Sequence, residues 1–159
     1  MFSKSQACRF SGSLPKRDLA HDPRKKENEY GNGECDDQAQ LNAAGIDLLH
    51  LPTPDLEPAS HEHLERGVAF VRERTRRGDK VLIHCQHGIG RSALLALCVL
   101  VDNGWEPLDA LIHIKDCREV VSPSRSQYEG WSRWLKSRGL AAPDYHSFGC
   151  IAYRHLAQG

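Results

Sequence analysis

Lys80-Val81-Leu82-Ile83-His84-Cys85-Gln86-His87-Gly88-Ile89-Gly90-Arg91-Ser92 changes character twice. It opens as a short apolar run with β-branched members, bounded upstream by Gly78-Asp79, which is the pattern of a buried strand over 80–85. Gly88 and Gly90 break that pattern, and from Ala93 the chain is apolar at helical length through Val101. The expected order is strand, tight loop, helix, with a cysteine where the strand ends and an arginine where the helix begins.

That order has a chemical consequence. A loop that curls into a helix N-terminus aims several backbone N–H groups at one spot, where the helix dipole also favours negative charge. Gly88 and Gly90 permit the backbone angles such a cradle needs, and a phosphate-sized anion fits it. The N–H groups of residues 86–91 (Gln86, His87, Gly88, Ile89, Gly90 and Arg91) would hold the anion, with the Arg91 guanidinium adding two parallel N–H···O bonds. Cys85 would lie at the floor of the cradle. A free thiol titrates near ~8.5 but falls to roughly 3.5–7.5 at helix N-termini or beside cations. Cys85 would then be a thiolate nucleophile at neutral pH. The Ser92 hydroxyl could donate to that sulfur and ease its later departure.

His84-Cys85-x-x-Gly88-x-x-Arg91-Ser92 resembles the HCxxGxxR[ST] signature of the cysteine-dependent protein tyrosine and dual-specificity phosphatases. The pattern specifies five residue types in a strand–loop–helix context. A rhodanese-like domain also places a cysteine in an anion-binding loop, but Gly88 and Ser92 favour the phosphatase. Pro52-Thr53-Pro54-Asp55, a loop by composition, is similar to the general-acid loop of small phosphatases of this family. The chemistry asks for such a residue, because the leaving oxygen needs a proton when Cys85 attacks. Asp55 is the candidate acid and Glu57 the backup; Asp47 is disfavoured because it falls within a predicted strand. Pro123-Ser124-Arg125-Ser126-Gln127-Tyr128 is similar to the stretch where these enzymes carry a glutamine near the hydrolytic water, which makes Gln127 a supporting candidate. His84 is expected to orient the loop by hydrogen bonding.

Composition sets the frame. The 159 residues suit one domain, and 21 basic against 21 acidic residues give a formal net charge of zero, so no nucleic-acid partner is indicated. No secretory signal is apparent, and the longest apolar run, 93–101, is far below the ~20 residues of a membrane helix. Six cysteines are widely spread, without CxxC pairs or metal-ligand spacing, which fits a reduced, cytoplasmic protein and no metal or other cofactor.

Outward from the central stretch, residues 1–40 are polar and broken, with no strand or helical period, and are expected to be disordered or divergent. A short helix over 37–44 would close at Gly45. Residues 46–51 read as a strand. Ser60 is placed to cap a helix running to about Arg77, with Leu64, Val68 and Val71 inward. Helices are expected over 91–103, over 107–119 with Pro107 in its first turn, and over 124–137 with an inward stripe of Tyr128, Trp131, Trp134 and Leu135. Residues 140–159 read as a tail in which Tyr145, Phe148 and Tyr153 pack locally.

The reading is an α/β fold: a small, mostly parallel central sheet flanked by helices, phosphatase-like over residues 41–139. The resemblance implies further strands before residue 46, and the polar tract has no apolar run to supply them, so the N-terminal half is expected to be trimmed or divergent. The expected activity is hydrolysis of a phosphorylated protein or other phosphomonoester through a cysteinyl-phosphate. The alternatives are a phosphate-binding pseudophosphatase and a rhodanese-like sulfurtransferase.

Overall fold

The computed structural model describes residues 40–157 apart from 42, in two units, Met1–Leu48 and Leu49–Gly159. The expected disordered tract and the start of the short helix lie outside the described residues. Within the first unit, the end of that helix is seen. Ala44 N–H donates to the Gln40 and Leu41 carbonyls, and Gly45 turns the chain at φ 72°. Residues 46–48 follow without regular structure.

The second unit is a set of helices whose limits follow the apolar spacing and the caps. Helix α1 covers His61–Arg76. The Ser60 hydroxyl accepts from the His63 N–H at 3.1 Å, and Leu64, Gly67, Val68 and Val71 face inward. Helix α2, Arg91–Asp102, has apolar residues almost all round and is the central helix, with α1, α3 (Pro107–Cys117) and α4 (Arg125–Ser137) packed on it. Leu94, Leu97 and Cys98 on α2 are fully buried together with Trp131, Trp134 and Leu135 on α4. Burial pushes the Cys98 thiol well above its usual range, so it packs as a small apolar side chain. Arg138 ties three helices at one end: it donates to Glu65 of α1 at 2.8 Å and to Asp102 of α2 at 2.6 Å, and stacks over Trp134 of α4.

The expected sheet is not seen among the described residues. Among the described residues neither 46–51 nor 80–85 forms a strand. A strand exists only as a ladder with a neighbour, and neither stretch makes one with a described residue. Residues 81–85 keep a period of two, with Leu82 68% exposed between half-buried Val81 and Ile83. One expectation is corrected: residues 140–159 are more than a tail with local packing. Helix α5, Tyr145–Ala152, is capped by Asp144, whose carboxylate accepts from the Ser147 N–H at 2.9 Å. Phe148 is fully buried, with ring centroids 4.9 Å from Tyr128 and 6.0 Å from Trp131. A single 3₁₀ turn, Arg154–Leu156, follows. No helix among the described residues is long and apolar enough to cross a membrane.

Candidate active site

The loop of residues 85–90 leads directly into α2. Gly88 has φ 67°, a conformation that costs other residues roughly 1–2 kcal/mol. That turn brings the Gly88 N–H within 3.3 Å of Cys85 Sγ. Gly90, the N-cap of α2, offers no side chain to the first helical N–H groups, the donors that a helix start leaves without an intrahelical partner. The Ser92 hydroxyl lies 3.3 Å from the same sulfur. Burial pushes the Cys85 thiol up, but hydrogen bonds from the Ser92 side chain and from the backbone of Ser92, Gly88 and His87 outweigh it. The thiol falls from 9.0 to about 7, and a substantial fraction is thiolate at neutral pH.

Arg91 links this loop to the proline-flanked one. Its Nη1 donates to the Thr53 carbonyl at 3.0 Å, and its Nη2 lies 3.3 Å from Asp55 Oδ1. The Asp55 side chain is 62% exposed, so it faces the solvent from which a substrate arrives. Of the residues chosen from the sequence, Cys85 is thus in contact with Ser92, and Arg91 with Asp55. Glu57, the backup acid, accepts from the Ser126 hydroxyl at 3.0 Å and is bound to the start of α4.

Gln127 is 2% exposed and holds two elements at once. Its Oε1 accepts from the Ser124 N–H at 2.9 Å, completing a capping box in which Ser124 Oγ accepts from the Gln127 N–H. Its Nε2 donates to the Glu57 carbonyl at 3.2 Å, and the Ser124 hydroxyl donates to the Leu56 carbonyl at 2.6 Å. Leu56 has φ 62°, a strained angle for a leucine, held from α4 by that bond. The amide of Gln127 also packs on Gly90, where an added Cβ would lie 2.4 Å from Gln127 Oε1. Gly90 has φ −117°, outside the left-handed region, so this close approach, and not the turn expected from the sequence, is what requires a glycine there.

The loop-orienting hydrogen bond expected of His84 is not made by its side chain. His84 and Gln86 are exposed and make no side-chain hydrogen bond among the described residues. His87 and Ile89 take part through their backbones. The His87 carbonyl accepts from Arg118 Nη2 at 3.2 Å, the Gly88 carbonyl from Arg118 Nε at 3.1 Å, and the Ile89 carbonyl from the Ser122 N–H at 3.1 Å. Arg118 was not found from the sequence. It contacts only backbone carbonyls, and such contacts leave no residue pattern to read.

No group of three or more His, Cys, Asp or Glu side chains able to hold a metal occurs among the described residues. The arrangement supplies a sulfur polarised toward the thiolate at a helix N-terminus and, next to the helix's first arginine, a solvent-facing carboxylate.

Comparison with known proteins agrees with this chemistry. The family described as dual specificity phosphatase, catalytic domain, matches residues 28–134. Dual specificity protein phosphatase 22 of Homo sapiens is 30% identical over 67% of this chain and 65% of that protein. Phosphatidylglycerophosphatase and protein-tyrosine phosphatase 1 of Homo sapiens is 28% identical over 69% of this chain and 61% of that protein. The chain thus spans somewhat less than two thirds of the length of these relatives. A crystal structure of a mutant form of Tk-PTP is similar, with TM-score 0.61 and 30% identity over 65% of this chain and 70% of that one. The fold is phosphatase-like, and the chain belongs to the dual-specificity phosphatase catalytic-domain family.

Proposed function

We propose that the protein hydrolyses phosphomonoesters on proteins, at phosphotyrosine or at both phosphotyrosine and phosphoserine or phosphothreonine, through a phosphocysteine intermediate. The observation that carries this reading is a sulfur with a lowered pKa, touched by the Gly88 amide and the Ser92 hydroxyl, at the start of a helix whose first arginine contacts a carboxylate. The small, mostly parallel sheet belongs to the same proposal, with 80–85 as the strand that ends in the nucleophile.

In the first step Cys85 Sγ attacks phosphorus, the P–O bond to the substrate breaks, and Asp55 gives its proton to the departing oxygen. Arg91 and the loop N–H groups hold the equatorial oxygens as charge builds. In the second step a water attacks the phosphoryl group, Asp55 takes a proton from it, and the S–P bond breaks with the Ser92 hydroxyl donating to the sulfur. Gln127 commits one N–H of its amide to the Glu57 carbonyl and retains a second for that water.

The test is phosphate release from an aryl phosphate, from phosphotyrosine and phosphoserine peptides, and from a phosphoinositide. Turnover on phosphopeptides that is vanadate-sensitive and lost in Cys85→Ser supports the reading. Turnover that survives Cys85→Ser contradicts it, and turnover confined to the lipid moves the substrate class.

A further inference from the structure

Lys115 is fully buried. Lysines are almost never so unless paired, and the proposed chemistry does not use this one. Its Nζ donates to the Glu119 carbonyl and, at 2.7 Å, to the Val121 carbonyl, and it lies 2.7 Å from Nδ1 of His155 in the C-terminal 3₁₀ turn. An ammonium has three N–H donors and no acceptor. With Lys115 as an ammonium, all three are engaged and His155 Nδ1 is the acceptor.

The two carbonyls held by Lys115 belong to the turn of residues 118–122, and other groups of that turn hold the loop. Arg118 donates to the His87 and Gly88 carbonyls, and the Ser122 N–H donates to the Ile89 carbonyl. A trans peptide is planar, with C=O and the following N–H pointing in opposite directions. Fixing the His87 carbonyl outward therefore fixes the Gly88 N–H inward, and that N–H lies 3.3 Å from Cys85 Sγ. The Gly88 and Ile89 carbonyls orient the Ile89 and Gly90 N–H groups in the same way.

We propose that Lys115 is a positioning residue for the oxyanion loop, holding the 118–122 turn beneath it and itself held by His155 of the C-terminal segment. The proposal rests on reading residues 85–91 as that loop. The C-terminal segment thereby acts on the active site without touching it.

The test uses the full chain with Arg118→Met, His155→Leu and His155→Asn. Asparagine keeps an acceptor close to the position of Nδ1, whereas leucine keeps none. Two readouts are taken beside thermal unfolding: the pH midpoint of Cys85 alkylation, resolved by peptide mapping, and the affinity for orthovanadate. Arg118→Met and His155→Leu are expected to raise the midpoint and to weaken vanadate binding by about fivefold, the size of a lost hydrogen bond. His155→Asn should restore both to the wild-type values. An unchanged midpoint and affinity in Arg118→Met and His155→Leu would overturn the proposal, as would His155→Asn behaving like His155→Leu. Arg118 is exposed and reports on the contact of the turn with the loop, so an effect in Arg118→Met beside wild-type values in a folded His155→Leu would also overturn the proposal. Alkylation is read without turnover. It therefore decides the brace even if the wild type hydrolyses nothing, a result that would count against the phosphatase reading alone.

Discussion

Cys85 owes its reactivity to neighbours that donate to one sulfur: the Ser92 hydroxyl and the backbone N–H groups of Ser92, Gly88 and His87. They outweigh burial and set the thiol at about 7. The sign follows directly: below that pH the thiol form predominates and alkylation slows by about tenfold per unit, while above it the rate levels off. Ser92→Ala removes the side-chain donor, so the midpoint should move up toward the ordinary thiol value, measured by the pH dependence of iodoacetamide labelling. The same variant should slow breakdown of the phosphocysteine, seen as a larger burst with a slower steady state. Asp55→Asn should lower kcat by about 10²–10⁴-fold, most for poor leaving groups. Comparing aryl phosphates of differing phenol acidity checks this, and an equal loss across the series would move the acid elsewhere. These residues were legible in the sequence because each is required by type at a given spacing. Arg118 was not, because a carbonyl accepts from any donor that reaches it.

The capping box at the start of α4 is where one element positions another. Ser124 and Gln127 satisfy the helix end and also hold the Leu56 and Glu57 carbonyls, fixing the back of the loop that carries Asp55. Ser124→Ala should cost about 0.5–2 kcal/mol as a lost cap, read as a lower denaturant midpoint. It should also reduce kcat, since Leu56 at φ 62° loses the bond that holds its carbonyl. Gly90→Ala should be more damaging to activity than its size suggests, because its Cβ would drive Gln127 from both partners. Helices α1 to α4 were legible to within about two residues, since apolar spacing, Ser60, Pro107, Ser124 and the closing glycines all mark them. The partners of 80–85 were not, because a strand's partners are not written in the strand.

At the scale of the second unit, the eight-residue α5 completes the core. The sequence shows the packing of its aromatic residues but not the helix, because eight residues give little more than two turns of periodicity, although Asp144-x-x-Ser147 and the spacing of Tyr145, Phe148 and Ala152 carry the signal. Phe148→Ala should cost about 3–5 kcal/mol, a large share of the stability of a domain this size, and is checked by urea unfolding. The claim on which everything turns is that Cys85 becomes covalently phosphorylated during turnover. Acid quench of the full chain with an aryl phosphate, followed by peptide mass mapping, tests it most directly. One phosphoryl group on the peptide containing Cys85, accumulating in the Ser92→Ala variant and absent in Cys85→Ser, is the predicted result. Phosphate release with no phosphoryl group on Cys85, or with the group on another residue, would contradict the account.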